Sequence, residues 1–436
     1  MSNFLIVDLD RSLVKTDIFR ERLARGLLRN PFLIIFIFFK YSFKLEKIKI
    51  YLEKYVDVPV ASLPFNHEVV KIANEYISNG RKVILATACD IKTATKISDH
   101  LRIFTSVLGT TSEINLKGKK KLEAILQIVK GEKFDYIGDS YSDVPIWKSA
   151  DRKYFVSGNV IFNNKITSLI NDPIKLNNKK GNFWVSFINQ IRVHQWSKNL
   201  LLFFPLLFSV NDFFFDKVLE LVLFFLLFCI VTSSTYVIND VLDLDSDRVH
   251  SKKKNRPLAS GEFDPLTWLI CSTSVLLSCV IISGLVFGYT WSILLGIYGL
   301  LSISYSTFLK TVSILDLFLL SIFYVYRIIS GIIVWESSIS IWTLGFTFFF
   351  FFSLGCLKRW TEVSSLAAKE NIVTKAGGYS LEDEKLLFIS GFTSAFISNT
   401  IFLLYGVNRF DLDTLTSCLV FFLMSLLLLF FFFIFF

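Results

Sequence analysis

No Cys-x-x-Cys pair occurs in this chain of 436 residues. Its six cysteines (Cys89, Cys229, Cys271, Cys279, Cys356 and Cys418) are scattered, most of them inside apolar segments. That excludes a zinc or disulfide framework and leaves them as small buried hydrophobes. His194 and His250 lack metal-ligand spacing, so both read as incidental. No signal peptide is visible. The chain opens directly into a strand-like run, and its first domain is therefore expected in the cytoplasm. Basic residues are scarce in the segments 209–216, 284–291, 335–341 and 408–413. They concentrate instead in the loops alternating with these: Arg248, Lys252, Lys253, Lys254 and Arg256; Lys310; and Lys358, Arg359, Lys369, Lys375 and Lys385.

That alternation explains the net charge of +9. It follows the bias that keeps basic loops on the cytoplasmic side of a membrane, and it argues against a nucleic-acid partner. The same cations suit anionic lipids and anionic substrates. Hydrophobic residues make up 53% of the chain, and most lie after residue 200 in long Phe/Leu/Ile runs. Roughly eight spanning segments are expected there, centred near residues 203, 227, 276, 299, 323, 348, 396 and 424.

Residues 1–172 read differently. Short apolar runs at 4–7, 83–86 and 134–137 each lead into polar loop residues, with helical patterns between them at 68–78 and 120–129. Such alternation predicts a Rossmann-like α/β domain with a parallel sheet. Residues 17–66 do not fit the sheet and read as a helical cap. Within it, 32–39 is apolar but too short to cross a bilayer, leaving two readings: a helix on the membrane surface or a buried cap helix. Residues 173–188, with Pro173 and Gly181, read as a linker to a helical membrane domain over 189–436.

Two groups of residues carry chemistry. In the first, Asp8 and Asp10 leave the first strand two residues apart and point toward the crevice where α/β sheets bind ligands. Val7-Asp8-Leu9-Asp10-Arg11-Ser12, Ala86-Thr87, Lys121 (with Lys117 as rival) and Gly138-Asp139-Ser140-x-x-Asp143 follow in order. This series resembles the four motifs of the haloacid dehalogenase (HAD) phosphatase superfamily. The resemblance implies Asp8 as nucleophile and Asp10 as acid and base, with Thr87 and Lys121 on the phosphoryl oxygens. It also implies Mg²⁺ on Asp8, Asp139 and Asp143. Arg11 stands where that superfamily often has Gly, and Ser12 where Thr is usual. A HAD fold kept only for docking or regulation is the bland alternative.

The second group is Asn239-Asp240-Val241-Leu242-Asp243-Leu244-Asp245-Ser246-Asp247, at the cytoplasmic end of an apolar run. Ionisable groups at membrane depth usually mark a site. In an unbroken helix Asp240, Asp243 and Asp247 would share one stripe, whereas Asp245 would point away. Their repulsion calls for a counter-ion such as Mg²⁺ shared with substrate phosphates. Further positions follow in order: Arg192-x-x-Gln195-Trp196-x-Lys198-Asn199 precedes the motif; Arg256-Pro257-Leu258-Ala259-Ser260-Gly261, Tyr305-Ser306-x-x-Leu309-Lys310, Leu315-Asp316, Arg327-x-x-x-Gly331 and Lys358-Arg359 come after it.

This set resembles the UbiA superfamily of intramembrane prenyltransferases, and within it the decaprenyl-phosphate phosphoribosyltransferase branch. Bundles of that superfamily generally have nine helices, so eight to nine are expected. The resemblance implies Mg²⁺ and a diphosphate on the acidic motif, with Asp240 and Asp243 catalytic. Lys198, Asn239, Arg256, Lys310, Asp316, Arg327, Lys358 and Arg359 would bind substrate. Many aromatic prenyltransferases carry a second acidic cluster; here Asp316 stands alone, with Leu320 where its mate would fall. One acidic cluster and surplus cations suit phosphoribosyl diphosphate as donor and a polyprenyl phosphate as acceptor. A lipid-linked 5-phosphoribose would retain a monoester for the HAD domain to remove. Two alternatives stay open. One is transfer of a polyprenyl group from its diphosphate to an aromatic or lipid acceptor. The other is a non-catalytic anchor or transporter carrying a phosphatase. Either way the chain is expected as a multi-pass protein of the inner or plasma membrane, and association with further copies is left open.

Overall fold

The computed structural model describes residues 2–42, 44–176, 181–207, 215–338, 340–367 and 378–410, together with 416, 419, 422 and 423. The chain divides into two compact units. The first comprises Met1–Ile191 with Asp240–Ser272, the second Arg192–Asn239 with Thr273–Phe436.

The first unit is built on six parallel strands: β1 (Phe4–Val7), β2 (Lys82–Asp90), β3 (Ser106–Thr110), β4 (Phe134–Gly138), β5 (Lys153–Val156) and β6 (Pro173–Leu176), in the order β3-β2-β1-β4-β5-β6. Strand β1 is buried throughout, as the centre of a parallel sheet must be. Its alternate residues feed two cores: Leu5 and Val7 join Val83 and Leu85 on one face, and Phe4 and Ile6 join Ile84 and Ala86 on the other. The expected α/β domain is therefore present.

Between β1 and β2 the expected cap appears as α1 (Ile18–Arg29), α2 (Pro31–Lys40) and α3 (Leu45–Tyr55), followed by α4 (His67–Ser78). Asp17 caps α1 by accepting from the Arg20 amide. Helix α2 buries Ile34 and Ile37 but leaves Phe32, Ile35, Phe36 and Phe39 exposed, so it is not a fully buried cap helix. Helices α5 (Ile91–Leu101), α6 (Lys119–Val129), α7 (Val144–Ser149) and α8 (Val160–Leu169) complete the α/β alternation.

The region read as a linker is partly regular. Pro173–Leu176 pairs with β5 as the edge strand, the place in a sheet where proline's missing N–H is tolerated. Phe183–Gln190 forms α9, capped by Asn182. Residues 177–180 lie outside the described set.

Helix α10 (Phe215–Leu242) ends just before Asp243, and α11 (Leu244–Val249) starts just after it. The second unit contains most of α10 and of α12 (Pro265–Phe287), with α13 (Tyr289–Thr307), α14 (Leu315–Trp335), α15 (Ile341–Ala367) and α16 (Glu384–Phe410). Among the described residues five segments are long and apolar enough to cross a membrane: Phe215–Leu242, Pro265–Phe287, Leu315–Trp335, Ile341–Ser364 and Leu381–Val407. They match five of the eight expected centres. The centre at 299 falls on the 19-residue α13, which is not among the five. The centre at 203 is corrected: Val193–Leu207 is a 3₁₀ segment with Pro205 inside it, and proline removes the donor an α-helix would need there. The centre at 424 lies outside the described residues, as does Cys418. The five described cysteines are free.

That 3₁₀ segment explains the Arg327-x-x-x-Gly331 pattern. A Cβ at Gly331 would come within 2.0 Å of the Leu202 carbonyl oxygen. One turn earlier, Arg327 Nε donates to Asn199 Oδ1 at 2.9 Å. Glycine thus admits the backbone and arginine ties it down. Gly331→Ala is expected to destabilise the bundle by about 1–3 kcal/mol through overpacking. Thermal unfolding in detergent checks this, and an unchanged melting point would contradict it.

Candidate active sites

The four HAD-like motifs converge at the carboxyl ends of β1, β2 and β4, where the strand order reverses direction. The Asp8 amide donates to the Ile137 carbonyl at 3.0 Å, which fixes the end of β1 beside β4. Lys121 Nζ, from α6, lies 2.9 Å from Asp8 Oδ1 and 3.7 Å from Asp143 Oδ1. Lys121, rather than its rival Lys117, is thus the lysine seen to meet Asp8. Tyr136, which sequence reasoning missed, donates to Asp143 Oδ1 at 2.9 Å and accepts from Lys121 at 3.3 Å. Its position inside β4 gave no signal beyond strand propensity. Thr87 is fully buried in β2 and accepts from the Cys89 amide at 2.9 Å.

Among the described residues, Asp8, Asp139 and Asp143 form a group whose carboxylate oxygens lie within 4.8 Å of one another. Three hard oxygen donors this close fit Mg²⁺. Without a cation they repel and resist burial. Desolvation, partly offset by Lys121, raises Asp8 to about 6, and desolvation followed by the charges of Asp8 and Asp143 raises Asp139 well above the usual range. Asp10, which accepts from the Ile18 amide at 2.8 Å, is raised to about 8 by desolvation and then by Asp17. That shift favours the protonated form at neutral pH, the state a proton donor requires. Arg11 has a φ of 56°, a left-handed conformation that favours glycine.

The sign of the pH effect follows. Each of these carboxyls has a folded pKa above its unfolded value of about 4, so its stabilising contribution is complete below pH 4 and is lost as pH rises through 6 to 8. Metal-free protein is expected to melt lower at pH 8 than at pH 5 by roughly 5 °C. Mg²⁺ should shrink that gap by neutralising Asp8 and Asp139. A gap that is insensitive to Mg²⁺ would contradict the metal assignment.

The acidic motif also lies in the first unit from Asp240 onward. The helix breaks at Asp243, and the three aspartates are less tightly grouped than Asp8, Asp139 and Asp143, but Asp240 and Asp247 still face one side chain. Arg256 Nη1 lies 3.2 Å from Asp240 Oδ1 and 2.6 Å from Asp247 Oδ2. Gln190 donates to the other Asp240 oxygen at 2.9 Å. Two buried carboxylates sharing one guanidinium show that this place needs positive charge, and a divalent ion fits the same need.

Asp245 points away from this pair, as its spacing implied. It takes a bidentate contact from Arg25 on α1, at 2.5 and 2.8 Å, and Ser62 donates to it at 3.0 Å. Next to it, Glu21 is fully buried between Arg25 and Arg248, at 2.6 and 2.8 Å. Burial alone would raise Glu21, but Arg248 and Arg25 hold it at about 2. Arg20 completes the set with a bidentate pair to Asp264. These contacts join the cap helix to the segment that carries the acidic motif. Nothing local in the sequence marks them, since charged residues on a helix ordinarily face solvent.

In the second unit Lys310 donates to Asn239 at 3.3 Å. Partial withdrawal from water, and then the charges of Arg327, Lys358 and Arg192, lower the Lys198 ammonium to about 8. Two residues expected to bind substrate have partners inside the bundle. Arg327 is buried and donates to Asn199, the Phe323 carbonyl and Tyr298 at 2.7–2.9 Å. Asp316 is fully buried, accepting from Tyr305 at 2.5 Å and from Arg359 at 2.8 Å. Arg359 also meets Glu362 at 2.6 Å. Both are engaged inside the bundle because a buried charge must be paired.

The fold defines an integral membrane protein that carries an α/β domain built on a six-stranded parallel sheet. The chain belongs to the UbiA prenyltransferase family, whose sequence model matches residues 202–436. It is 31% identical to the uncharacterized protein y4nM of Sinorhizobium fredii over 92% of this chain and 77% of that one. It is 29% identical to a decaprenyl-phosphate phosphoribosyltransferase of Mycolicibacterium smegmatis over 40% of this chain and 56% of that protein's length. The solved structure of a substrate-bound phosphoserine phosphatase complex is similar at 15% identity and a TM-score of 0.30, covering 40% of this chain and 93% of that one.

Proposed function

We propose that this enzyme transfers 5-phosphoribose from phosphoribosyl diphosphate to a polyprenyl phosphate, and that its α/β domain then removes the 5-phosphate. The observation that carries the choice of donor is Asp316. The mate of Asp316 in an acidic pair would fall at Leu320, and Asp316 itself is paired with Tyr305 and Arg359, so this region carries one carboxylate where a second metal cluster for a prenyl diphosphate would need two. The cations that act on Lys198 would be relieved by the extra phosphates of the proposed donor and acceptor. The phosphoribosyltransferase named among the relatives supports the same reading.

In the transfer, a lipid phosphate oxygen attacks the anomeric carbon. The new C–O bond forms as the bond to diphosphate breaks. The attacking oxygen is already anionic, so positioning and charge do most of the work. Mg²⁺ held by Asp240, Asp243 and Asp247 would supply positive charge for the departing diphosphate. Arg256 is placed to follow the same charge. In the second reaction, Asp8 attacks phosphorus and the leaving oxygen takes the Asp10 proton. Water then cleaves the aspartyl phosphate after giving its proton back to Asp10. Mg²⁺ on Asp8, Asp139 and Asp143 would offset the approach of one anion to another. Lys121 and Thr87 hold the phosphoryl oxygens. The α/β domain faces the cytoplasm, with the exposed apolar face of α2 at the inner or plasma membrane surface.

The test is donor choice. Membranes containing the protein, Mg²⁺ and a polyprenyl phosphate are expected to yield labelled lipid from labelled phosphoribosyl diphosphate. Label entering lipid only from a polyprenyl diphosphate and an acceptor would replace this reading with prenyl transfer. Label from neither would favour an anchor or transporter.

A further inference from the structure

We infer that the segment 261–268 forms one wall of a sugar-binding subsite for the α/β domain's phosphomonoester. This deepens the phosphatase reading and rests on it. A cavity of about 440 Å³ opens beside Asp139 and the loop after β1, and its far side is lined by Gly261 to Asp264, Thr267 and Trp268. All of these residues belong to the first unit.

The wall is held in place by named contacts. Gly261 has a φ of +77°, and a Cβ there would fall 2.8 Å from Lys15 Cβ, so the segment lies against the loop that carries Asp10. Arg20 holds Asp264 and Thr267, Ser186 donates to Glu262 at 2.8 Å, and Trp268 stacks on Phe263 at 4.5 Å.

The lining states what the cavity takes. Asp139 marks the phosphate end, since it lines the cavity and also belongs to the carboxylate group with Asp8 and Asp143. Away from it, Asp17 and Glu262 offer acceptors for hydroxyl groups. Phe162 and Trp268 offer flat apolar surface for the carbon face of a ring. Arg11 and Lys15 supply positive charge for a second anionic group on the same ligand. A volume of about 440 Å³ admits a pentose with its substituents but not a long hydrocarbon chain. The ligand class is a phosphorylated sugar, and Trp268 is its specificity-determining side chain.

The experiment uses full-length protein in detergent with Mg²⁺. Calorimetry of the Asp8→Asn form should show ribose 5-phosphate binding at least about tenfold tighter than inorganic phosphate. Trp268→Ala in that background should remove the preference and Trp268→Phe should keep it. Glu262→Gln, an isosteric change, is the second variant and should weaken the preference without unfolding the wall. In the active enzyme Trp268→Ala should raise KM for ribose 5-phosphate about tenfold with kcat within about twofold. Equal affinity for both probes, or a preference that survives Trp268→Ala, overturns the subsite. A wall-dependent preference in a protein that releases no phosphate supports the subsite and removes the phosphatase reading. Phosphate release with KM unchanged by Trp268→Ala does the reverse.

Discussion

Asp8→Asn is expected to cut phosphate release by roughly a thousandfold or more, the scale of loss when a covalent nucleophile is removed. Asparagine keeps the shape of the side chain and its contact with the Leu9 amide, so the fold should survive. It cannot attack phosphorus. It also weakens the Asp8, Asp139 and Asp143 group by one charge, which lowers the demand for a cation. Phosphoribosyl transfer uses other residues and should continue. The product of the variant is then a lipid that retains its monoester. Mass analysis of the extracted lipid reads this directly. A variant that still strips the phosphate would remove Asp8 from the chemistry.

Glu21→Ala should be the most destabilising single change outside that site, costing about 3–5 kcal/mol. The carboxylate is fully buried and faces two guanidinium groups, so removing it strands Arg25 and Arg248. Arg25 would retain Asp245, but Arg248 would be left with the Ala259 carbonyl. A loss of this size is a large share of the roughly 5–15 kcal/mol that stabilises an ordinary domain. Replacing Glu21, Arg25 and Arg248 together by apolar residues of similar volume should be far milder, because no lone charge remains. The pH sign is opposite to that of Asp10. With its folded pKa depressed to about 2, Glu21 contributes stability that is complete above about pH 4 and lost only as pH falls toward 2. Denaturant unfolding of both variants checks the contrast. A Glu21→Ala protein within about 1 kcal/mol of wild type would show that the pair is not the tie it resembles.

Legibility in the sequence followed the range over which each feature acts. The four HAD-like motifs could be read because each sits at the end of an apolar strand, and strand ends bring residues as far apart as Asp8 and Asp143 to one crevice. Strand β6 was hidden because four residues beginning with proline carry little periodic signal. The stripe of Asp240, Asp243 and Asp247 assumed a continuous helix; the helix breaks at Asp243, yet Asp240 and Asp247 still meet one guanidinium while Asp245 faces Arg25. Arg256 was expected to bind substrate, and its sharing between two carboxylates could not be foreseen because it depends on the turn after α11. Hardest of all were Glu21 and Arg248. They are 227 positions apart, and nothing local marks either as buried. Arg327 and Asp316 were expected to bind substrate by motif, and their internal partners could be known only once the helices were packed.

The central claim is that one chain makes a lipid-linked phosphoribose and then dephosphorylates it. The most direct measurement supplies phosphoribosyl diphosphate labelled with one isotope in the ribose and another in the 5-phosphate to full-length protein in polyprenyl-phosphate vesicles with Mg²⁺. The ribose label should enter the lipid while the 5-phosphate label appears as free phosphate, and Asp8→Asn should leave both labels on the lipid. Wild-type lipid that carries both labels, or neither, would contradict it.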